Sequence, residues 1–201
     1  MVPHGHSSQR LILASASPRR RDLLTEWGIP YISMIADVDE TLRASELCEV
    51  QAELLAILKV TTIAAKLTES NWILGADTLV SSQGKVLGKP RDDQHAAEML
   101  RLLSGATVEV ATGVALIGHG GACASGHVVT RLQMRPFDND EIQAYVATGE
   151  PMGKAGSFAI QGQGGALIES RDGSYSNVVG LPKALVMELL QSASFPGIPQ
   201  E

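Results

Sequence analysis

The sequence predicts an α/β protein built around a mixed β-sheet. Apolar strand candidates alternate with helical segments over the first half of the chain, which is the pattern of a sheet covered by helices. Two long strand candidates, residues 107–117 and 122–134, then follow each other with only GHGG between them. So short a connection predicts an antiparallel hairpin, and the sheet as a whole should therefore be mixed.

The chain begins with a predicted strand, a helix and a second strand. Residues 11–14 and 31–35 are short apolar runs of strand type. Between them, Ser17 is a good helix N-cap and Pro18 suits the first helical position, so a helix should begin there. Gly28 ends it, because glycine is the usual residue just beyond a helix C-terminus.

Three arginines, Arg19, Arg20 and Arg21, occupy the first turn of this helix, although the chain carries a formal net charge of -6. The N-terminus is the positive end of the helix dipole, so cations there are disfavoured unless an anion lies among them. A phosphate group would satisfy both the arginines and the free backbone N–H groups. The alternative is that these are solvated surface arginines whose stems cover apolar neighbours.

A long amphipathic helix is predicted over residues 46–66, with Lys59 and Lys66 available at its edges. Its apolar positions recur at helical spacing and are Leu47, Val50, Leu54, Leu55, Leu58 and Ile63. The following WILGADTLV reads as a buried strand that carries one acid, Asp77. A hairpin turn over residues 81–85 should return the chain toward the same end of the molecule.

Three more helices are predicted in the second half of the chain. They cover residues 93–103 after an aspartate cap, residues 138–147, and residues 181–191 with Pro182 near the start. Between the last two of these helices, a short strand should lead Gln161 into a glycine-rich turn.

Composition limits the classes of protein to which this chain can belong. Of its 201 residues, 44% are hydrophobic and 19% charged, which favours a globular domain over disorder. We expect that domain over residues 11–192, with a flexible leader over 1–10 and a tail over 193–201. A pI near 5.4 disfavours a general nucleic-acid binder, and no apolar run approaches the roughly 20 residues of a membrane span. Cys48 and Cys123 form no metal or disulfide pattern, which fits a reducing cytoplasm.

Asp77 is the most informative single residue. A carboxylate inside an apolar strand is costly unless it is paired, hydrogen-bonded or bound to a metal. The alternative is an edge strand whose aspartate faces water. Thr78 adds a hydroxyl next to the acid, and Lys89 in LGKP follows the predicted hairpin, so its ammonium could return close to Asp77.

A second acidic group, ADVDET, follows another predicted strand and contains Glu40. Two carboxylates from different strand ends, with substrate phosphates, are what a magnesium ion needs, although DVDE alone is more often a solvated loop. The Gln161 amide offers both a donor and an acceptor and could read a pyrimidine edge. Its surroundings lack the G-K-[ST] of a P-loop, and a plain hairpin turn is the alternative.

Five segments in chain order carry a resemblance to a known family: LILASASPRRRDLL, WILGADTLVSSQGKVLGKP, AAEMLRLLSGATVEVATGVAL, EPMGKAGSFAIQGQGGALIE and GSYSNVVGLP. Over residues 11–190 the chain resembles the Maf family of nucleoside triphosphate pyrophosphatases. The resemblance implies a two-lobed α/β fold with a twisted mixed sheet and a central cleft, related to inosine triphosphate pyrophosphatases. It also implies hydrolysis between the α and β phosphates of a nucleotide with a divalent cation, Mg²⁺ or Mn²⁺, as cofactor.

The same resemblance implies roles for individual residues. Ser15, Arg19 and Arg20 match S-x-S-P-R-R and would hold the phosphates of a nucleoside triphosphate substrate. Glu40 matches an acidic position associated with the metal. Asp77 matches the acid of A-D-T, which is taken either as the general base or as a metal ligand.

Two lysines and three specificity positions complete the implied site. Lys59 in LLAILK and Lys89 in LGKP match family lysines that lie in the site. Arg19, Thr78 and Gln161 would set specificity. ADT with IQG resembles members that act on dTTP and UTP, whereas DVDET and AGSF resemble members that act on 7-methyl-GTP, so the latter activity stays as the alternative.

Other classes of function stay open from the sequence. A regulator of septum formation that binds nucleotide without hydrolysing it is a second hypothesis, and a phosphatase that releases orthophosphate is a third. An enzyme of the implied kind would clear unwanted nucleotides, with a link to the arrest of cell division. No nucleic-acid or membrane partner is expected, and pairing of the antiparallel arm between two subunits leaves a homodimer open.

Overall fold

A computed structural model of the protein describes residues 11–40 and 47–199. The leader predicted over residues 1–10 lies outside these ranges, and so do residue 46 of the predicted long helix and the last two positions of the predicted tail.

Strands and helices alternate along most of the described chain. The strands are β1 (Leu11–Leu13), β2 (Tyr31–Ser33), β3 (Ile73–Ser82), β4 (Lys85–Leu87), β5 (Thr107–Ile117), β6 (Cys123–Met134) and β7 (Ile168–Asp172). The helices are α1 (Pro18–Glu26), α2 (Cys48–Ala64), α3 (Asp93–Leu103), α4 (Asn139–Ala147), α5 (Tyr175–Val179) and α6 (Lys183–Ser192). Two 3₁₀ turns, Ala155–Ser157 and Gln163–Leu167, lie between α4 and β7.

All seven strands belong to one sheet, in the order β2-β1-β3-β5-β6-β7, with β4 also paired to β3. β1 runs parallel to both β2 and β3, whereas β3, β5, β6 and β7 form antiparallel pairs. The prediction of a mixed sheet in an α/β fold is therefore confirmed.

The edge of β3 that faces β1 has a gap in its pairing. β1 pairs with this strand only at Ile73 and Leu74, and β4 pairs with it only from Val80 onward. Between these two pairings, in the part of the chain that the structure describes, no strand covers the edge around Asp77. The carboxyl end of β1 therefore opens onto the middle of β3, and such a crevice is a common ligand site in α/β sheets.

Most predicted elements are present, and two have the predicted bounds: α3 and β5. The strand predicted to lead into Gln161 is wrong, because residues 158–162 pair with no strand and the Ala159 N–H donates to Tyr145 Oη instead. Helix α5 was not predicted. It has only five residues, too few for helical periodicity to show in the sequence.

The predicted apolar face of α2 is wrong. Of the six apolar positions, only Leu55 and Ile63 are buried; the exposed ones are Leu47, Val50, Leu54 and Leu58. The helix instead turns Ala52 and Ala56 toward the sheet. A Cβ at Gly113 of β5 would lie 2.3 Å from the carbonyl carbon of Ala52, so the helix backbone rests directly on the sheet and only small residues fit there.

The two faces of the sheet carry separate parts of the core. α2 packs on one face through Val60 and Ile63, and α1 and α6 pack on the other. Residues 193–199 were predicted as a tail, yet Phe195 is buried in the second of these clusters and Trp72 Nε1 donates to the Ala193 carbonyl. Among the described helices, none combines the length and the apolar content that crossing a membrane would require.

Candidate active site

A cavity of about 750 Å³ lies over the open edge of β3. The loop after β1, the first turn of α1 and the middle of β3 line it. The residues after β2 and the loops around residues 89 and 152–160 complete the lining. Eight of the site residues predicted from the sequence line it: Ser15, Arg19, Arg20, Glu40, Lys59, Asp77, Thr78 and Lys89.

Arg20 is buried at the start of α1, and each nitrogen of its guanidinium donates a hydrogen bond. Nε donates to the Gly180 carbonyl oxygen at 2.7 Å, and Nη1 donates to Ser15 Oγ at 3.3 Å. Nη2 donates to Thr78 Oγ1 at 2.9 Å. Burial lowers the pKa of Arg20, against the opposing attraction of Asp77. All three acceptors are neutral, so the positive charge of Arg20 is held in place without being cancelled.

Two threonines continue this chain of hydrogen bonds into the core. Thr78 Oγ1 lies 3.0 Å from Thr112 Oγ1, and Thr112 donates its proton to the Asn177 carbonyl oxygen at 2.9 Å. Thr78 therefore donates to Thr112 while it accepts from Arg20. Thr112 is fully buried. These hydrogen bonds connect Arg20, through Thr78 of β3 and Thr112 of β5, to helix α5.

Asp77 and Glu40 converge on the ammonium group of Lys59. Lys59 Nζ donates to Asp77 Oδ1, and it lies 2.7 Å from Glu40 Oε1. Lys59 and Asp77 are both buried, so neither the predicted edge position for Lys59 nor the water-facing alternative for Asp77 holds. Lys89 approaches Glu40 rather than Asp77, with Nζ 3.5 Å from Oε2. Burial raises the pKa of Glu40, but Lys59 and then Lys89 outweigh it, so this pKa lies below its ordinary value.

Lys154 is a cavity residue that was not predicted from the sequence. It lies in EPMGKAG, between α4 and the glycine-rich turn, and its Nζ donates to the Glu150 carbonyl oxygen at 2.5 Å. Burial lowers the pKa of Lys154, and the charge of Arg19 lowers it further. A lysine within a glycine-rich segment was the available signal, but only the fold brings it close to Arg19.

The glycine-rich turn holds a carboxylate of the protein itself. Glu150 Oε2 accepts from the Gln163 N–H and Oε1 from the Gly164 N–H, both at 3.0 Å. Tyr145 Oη also donates to Glu150, at 2.8 Å. A Cβ at Gly162 would lie 2.2 Å from Glu150 Oε2, which explains the glycine there. The N–H groups of Gln163 and Gly164 are thus occupied within the chain.

Gln161 is the one predicted site residue that the structure does not bring into the lining of the cavity. Its side chain is exposed, whereas the preceding Ile160 does line the cavity. The remaining lining is partly apolar and includes Val80, Val110 and Phe158. The cavity can therefore accommodate a ligand that combines an anionic part with an apolar part.

Among the residues that the structure describes, most of the charged side chains that line the cavity are positive. Five cations line it, Arg19, Arg20, Lys59, Lys89 and Lys154, against three acids, Asp37, Glu40 and Asp77. With all eight ionised, the cavity is positive within a chain of net charge -6. Such a concentration of charge favours an anionic ligand.

Comparison with known proteins links this arrangement to one family. The model of the family described as Maf-like protein matches residues 10–193. A dTTP/UTP pyrophosphatase of Moorella thermoacetica is 46% identical over 90% of this chain and 93% of that protein. A dTTP/UTP pyrophosphatase of Pelotomaculum thermopropionicum is 44% identical over 93% of this chain and 98% of that protein.

Two solved structures match this chain at much lower sequence identity. A HAM1 protein from Coxiella burnetii is 15% identical, with a TM-score of 0.46 over 90% of this chain and 98% of that one. The Ham1 protein of Staphylococcus aureus is 14% identical, with a TM-score of 0.41 over 62% of this chain and 71% of that one.

Proposed function

This chain belongs to the Maf-like protein family, and on that premise we propose that it hydrolyses dTTP and UTP to the nucleoside monophosphate and pyrophosphate. The observation that carries the proposal is one cavity in which the cationic first turn of α1 faces the buried Asp77–Lys59 pair. The names of the relatives from Moorella and Pelotomaculum support the choice of nucleotide.

The first turn of α1 binds phosphate in this proposal. Arg20 presents its charge while its three neutral partners hold it, and the neighbouring Arg19 also lines the cavity. Ser15 Oγ accepts hydrogen bonds from Arg20 and from the Ser17 N–H, which leaves its own proton for a phosphate oxygen. Free N–H groups at the start of α1 add to the attraction for an anion.

Asp77 is the proposed general base. It takes a proton from a water molecule whose oxygen attacks the α-phosphorus, and the bond from that phosphorus to the bridging oxygen breaks. The electron pair of that bond leaves with pyrophosphate. Lys59 holds Asp77 in place, and Lys59 and Lys89 offset the negative charge that develops on the leaving group.

The donor set around Lys59 fits a divalent cation. Asp77 and Glu40 come from different elements and direct carboxylate oxygens at one point, now taken by the Lys59 ammonium. Carboxylate oxygens suit Mg²⁺ and Mn²⁺. The described residues contain no group of three or more His, Cys, Asp or Glu placed to hold a metal, so substrate phosphates and water would complete the shell. A bound metal would neutralise phosphate charge and lower the pKa of a water; Asp77 as metal ligand is the alternative role.

Specificity is proposed to depend on Arg19, Thr78 and Gln161. Thr78 lines the cavity, and its remaining lone pair can accept a hydrogen bond from a base. The exposed amide of Gln161 would have to turn toward the base when the nucleotide binds. A methylated guanine nucleotide is the alternative substrate.

The setting of the enzyme is proposed as the cytoplasm. Cys48 and Cys123 are free thiols, as a reducing compartment allows. The proposed partner is the nucleoside triphosphate alone, without nucleic acid or membrane. A homodimer and a link to cell-division arrest stay predictions.

A nucleotide panel tests this proposal. The purified protein is incubated with UTP, dTTP, CTP and 7-methyl-GTP in the presence of Mg²⁺ or Mn²⁺, and pyrophosphate and orthophosphate are assayed separately. We expect pyrophosphate from UTP and dTTP at the highest rates. Pyrophosphate chiefly from 7-methyl-GTP would move the chain to the alternative substrate, and orthophosphate would indicate a phosphatase. No product from any nucleotide would support the non-hydrolysing regulator.

A further inference from the structure

Some of the charged side chains around the cavity form salt bridges with one another and others do not. Asp77 and Glu40 are paired with Lys59 and Lys89. Arg19 and Lys154 form no salt bridge with any residue that the structure describes, although both line the same cavity. We call these two residues the cationic pair. Arg20 also forms no salt bridge with a described residue, but each of its three nitrogens is hydrogen-bonded within the protein. The acids in these salt bridges thus leave the cationic pair uncompensated.

Lys154 is held in place by a loop that is fixed at both ends. Its ammonium donates to the Glu150 carbonyl, and the Glu150 side chain is bound by the backbone of the glycine-rich turn. On the other side, the Gly156 N–H donates to the Gly88 carbonyl at 3.1 Å, next to Lys89. Lys154 is therefore positioned before any ligand arrives, and a ligand does not have to order the loop.

The two positive charges of the cationic pair repel each other. Burial lowers the pKa of Arg19, and burial and then Arg19 lower the pKa of Lys154. Glu150 attracts Lys154, but its carboxylate is occupied by backbone N–H groups and by Tyr145. Two nearby cations in a partly buried site are unfavourable until an anion joins them. An anion with several negative charges would satisfy both at once.

We propose that Lys154 and Arg19 bind the pyrophosphate part of the nucleotide, and hence the pyrophosphate product. The inference rests on the proposed function, because that function places the reacting α-phosphate at Asp77 and requires a separate place for the β and γ phosphates. Arginine can bind phosphate through two parallel hydrogen bonds, and lysine contributes a compact point charge, so the two are complementary in this role.

Calorimetric titration with the two products tests the assignment. Inorganic pyrophosphate and UMP are titrated separately, with Mg²⁺, into the wild-type protein and the Lys154→Met variant, which keeps the length of the side chain. We expect pyrophosphate binding to weaken by about tenfold or more, the size of one lost charged hydrogen bond, and UMP binding to stay unchanged.

Two control variants make the result specific. Lys154→Arg keeps the positive charge and should keep most of the affinity for pyrophosphate. Lys85→Met removes an exposed lysine of β4 that does not line the cavity, and it should change neither affinity. If Lys85→Met lost as much affinity for pyrophosphate as Lys154→Met, the effect would come from the overall surface charge. That result would overturn the proposal.

The titration also separates this inference from the proposed function. Neither probe needs to be hydrolysed, so a pyrophosphate affinity that depends on Lys154 would support the inference even if the nucleotide panel gave no product. Unchanged pyrophosphate affinity in Lys154→Met, or an equal loss for UMP, would overturn it even if the wild-type protein hydrolyses UTP. Failure of the wild-type protein to bind pyrophosphate at all would also overturn it.

Discussion

At the scale of single residues, the arginine pattern in the sequence was informative, but the partners of Arg20 were not visible there. A cation in the first turn of a helix indicates an anion site on general grounds. The Gly180 carbonyl accepts a hydrogen bond from Arg20 directly, and the Thr112 hydroxyl is linked to Arg20 through Thr78. Both groups lie far from Arg20 in the sequence. Only the fold brings them together, because no local rule relates such distant positions.

Thr112 is a positioning residue in this account, and its replacement tests that role. Thr112→Val keeps the shape but removes the hydroxyl that joins Thr78 to the Asn177 carbonyl. We expect the free energy of unfolding to fall by about 1–3 kcal/mol, the cost of buried polar groups that lose a partner. Because Thr78 then loses the acceptor that orients its hydroxyl toward Arg20, the hold on Arg20 weakens, and KM for UTP should rise more than kcat falls.

Thr112→Ser is the matched control, since it keeps the hydroxyl and loses only a methyl group. Steady-state kinetics and urea unfolding are measured for both variants. KM should be close to wild type in Thr112→Ser and raised in Thr112→Val. An equal rise of KM in the two variants would show that packing, rather than the hydrogen bond, positions Arg20.

At the scale of elements, the apolar periodicity of α2 predicted the wrong buried face of the helix. The largest apolar residues of the helix were expected to face the core, yet Leu54 and Leu58 are exposed while Ala52 and Ala56 face the sheet. Size, rather than hydropathy, determines the buried face, because the sheet presents glycines and the helix lies directly on them. The sequence of one helix cannot show how closely another element approaches it.

The close approach of α2 to the sheet gives a prediction about Gly113. A Cβ at this position would lie 2.2 Å from the Glu53 nitrogen, and a backbone atom cannot move aside as a flexible side chain can. Gly113→Ala should therefore lower the free energy of unfolding by about 1–3 kcal/mol or more, the usual cost of overpacking. It should also lower activity, since α2 carries Lys59 into the site.

Gly120→Ala is the control for this change. Gly120 lies in the loop between β5 and β6, where an added Cβ meets nothing within 4 Å. Denaturant unfolding and the rate of UTP hydrolysis are compared for the two variants. A Gly113→Ala protein as stable and active as Gly120→Ala would refute the close packing of α2 on β5.

At the scale of the whole molecule, the cavity joins segments that are distant in the sequence. Asp77 and the arginines of α1 could be singled out from the sequence. A carboxylate is unfavourable inside an apolar strand, and cations are unfavourable at a helix N-terminus. The position of Lys59 between two acids could not be singled out, since a lysine at the edge of a helix is ordinary. The segment after Gln161 could be predicted only as a glycine-rich turn, with a plain hairpin turn as the alternative, because its partner, Glu150, is recognisable only in three dimensions.

The central claim is that Asp77 performs the chemistry in a cavity whose cations bind the triphosphate. The most direct test is the rate of pyrophosphate release from UTP by Asp77→Asn, measured together with UTP binding, and with Asp172→Asn, an exposed carboxylate of β7 outside the cavity, as the control. We expect Asp77→Asn to lower the rate by about a hundredfold or more, while UTP binding and the control stay close to wild type. Turnover near the wild-type rate in Asp77→Asn would contradict the central claim.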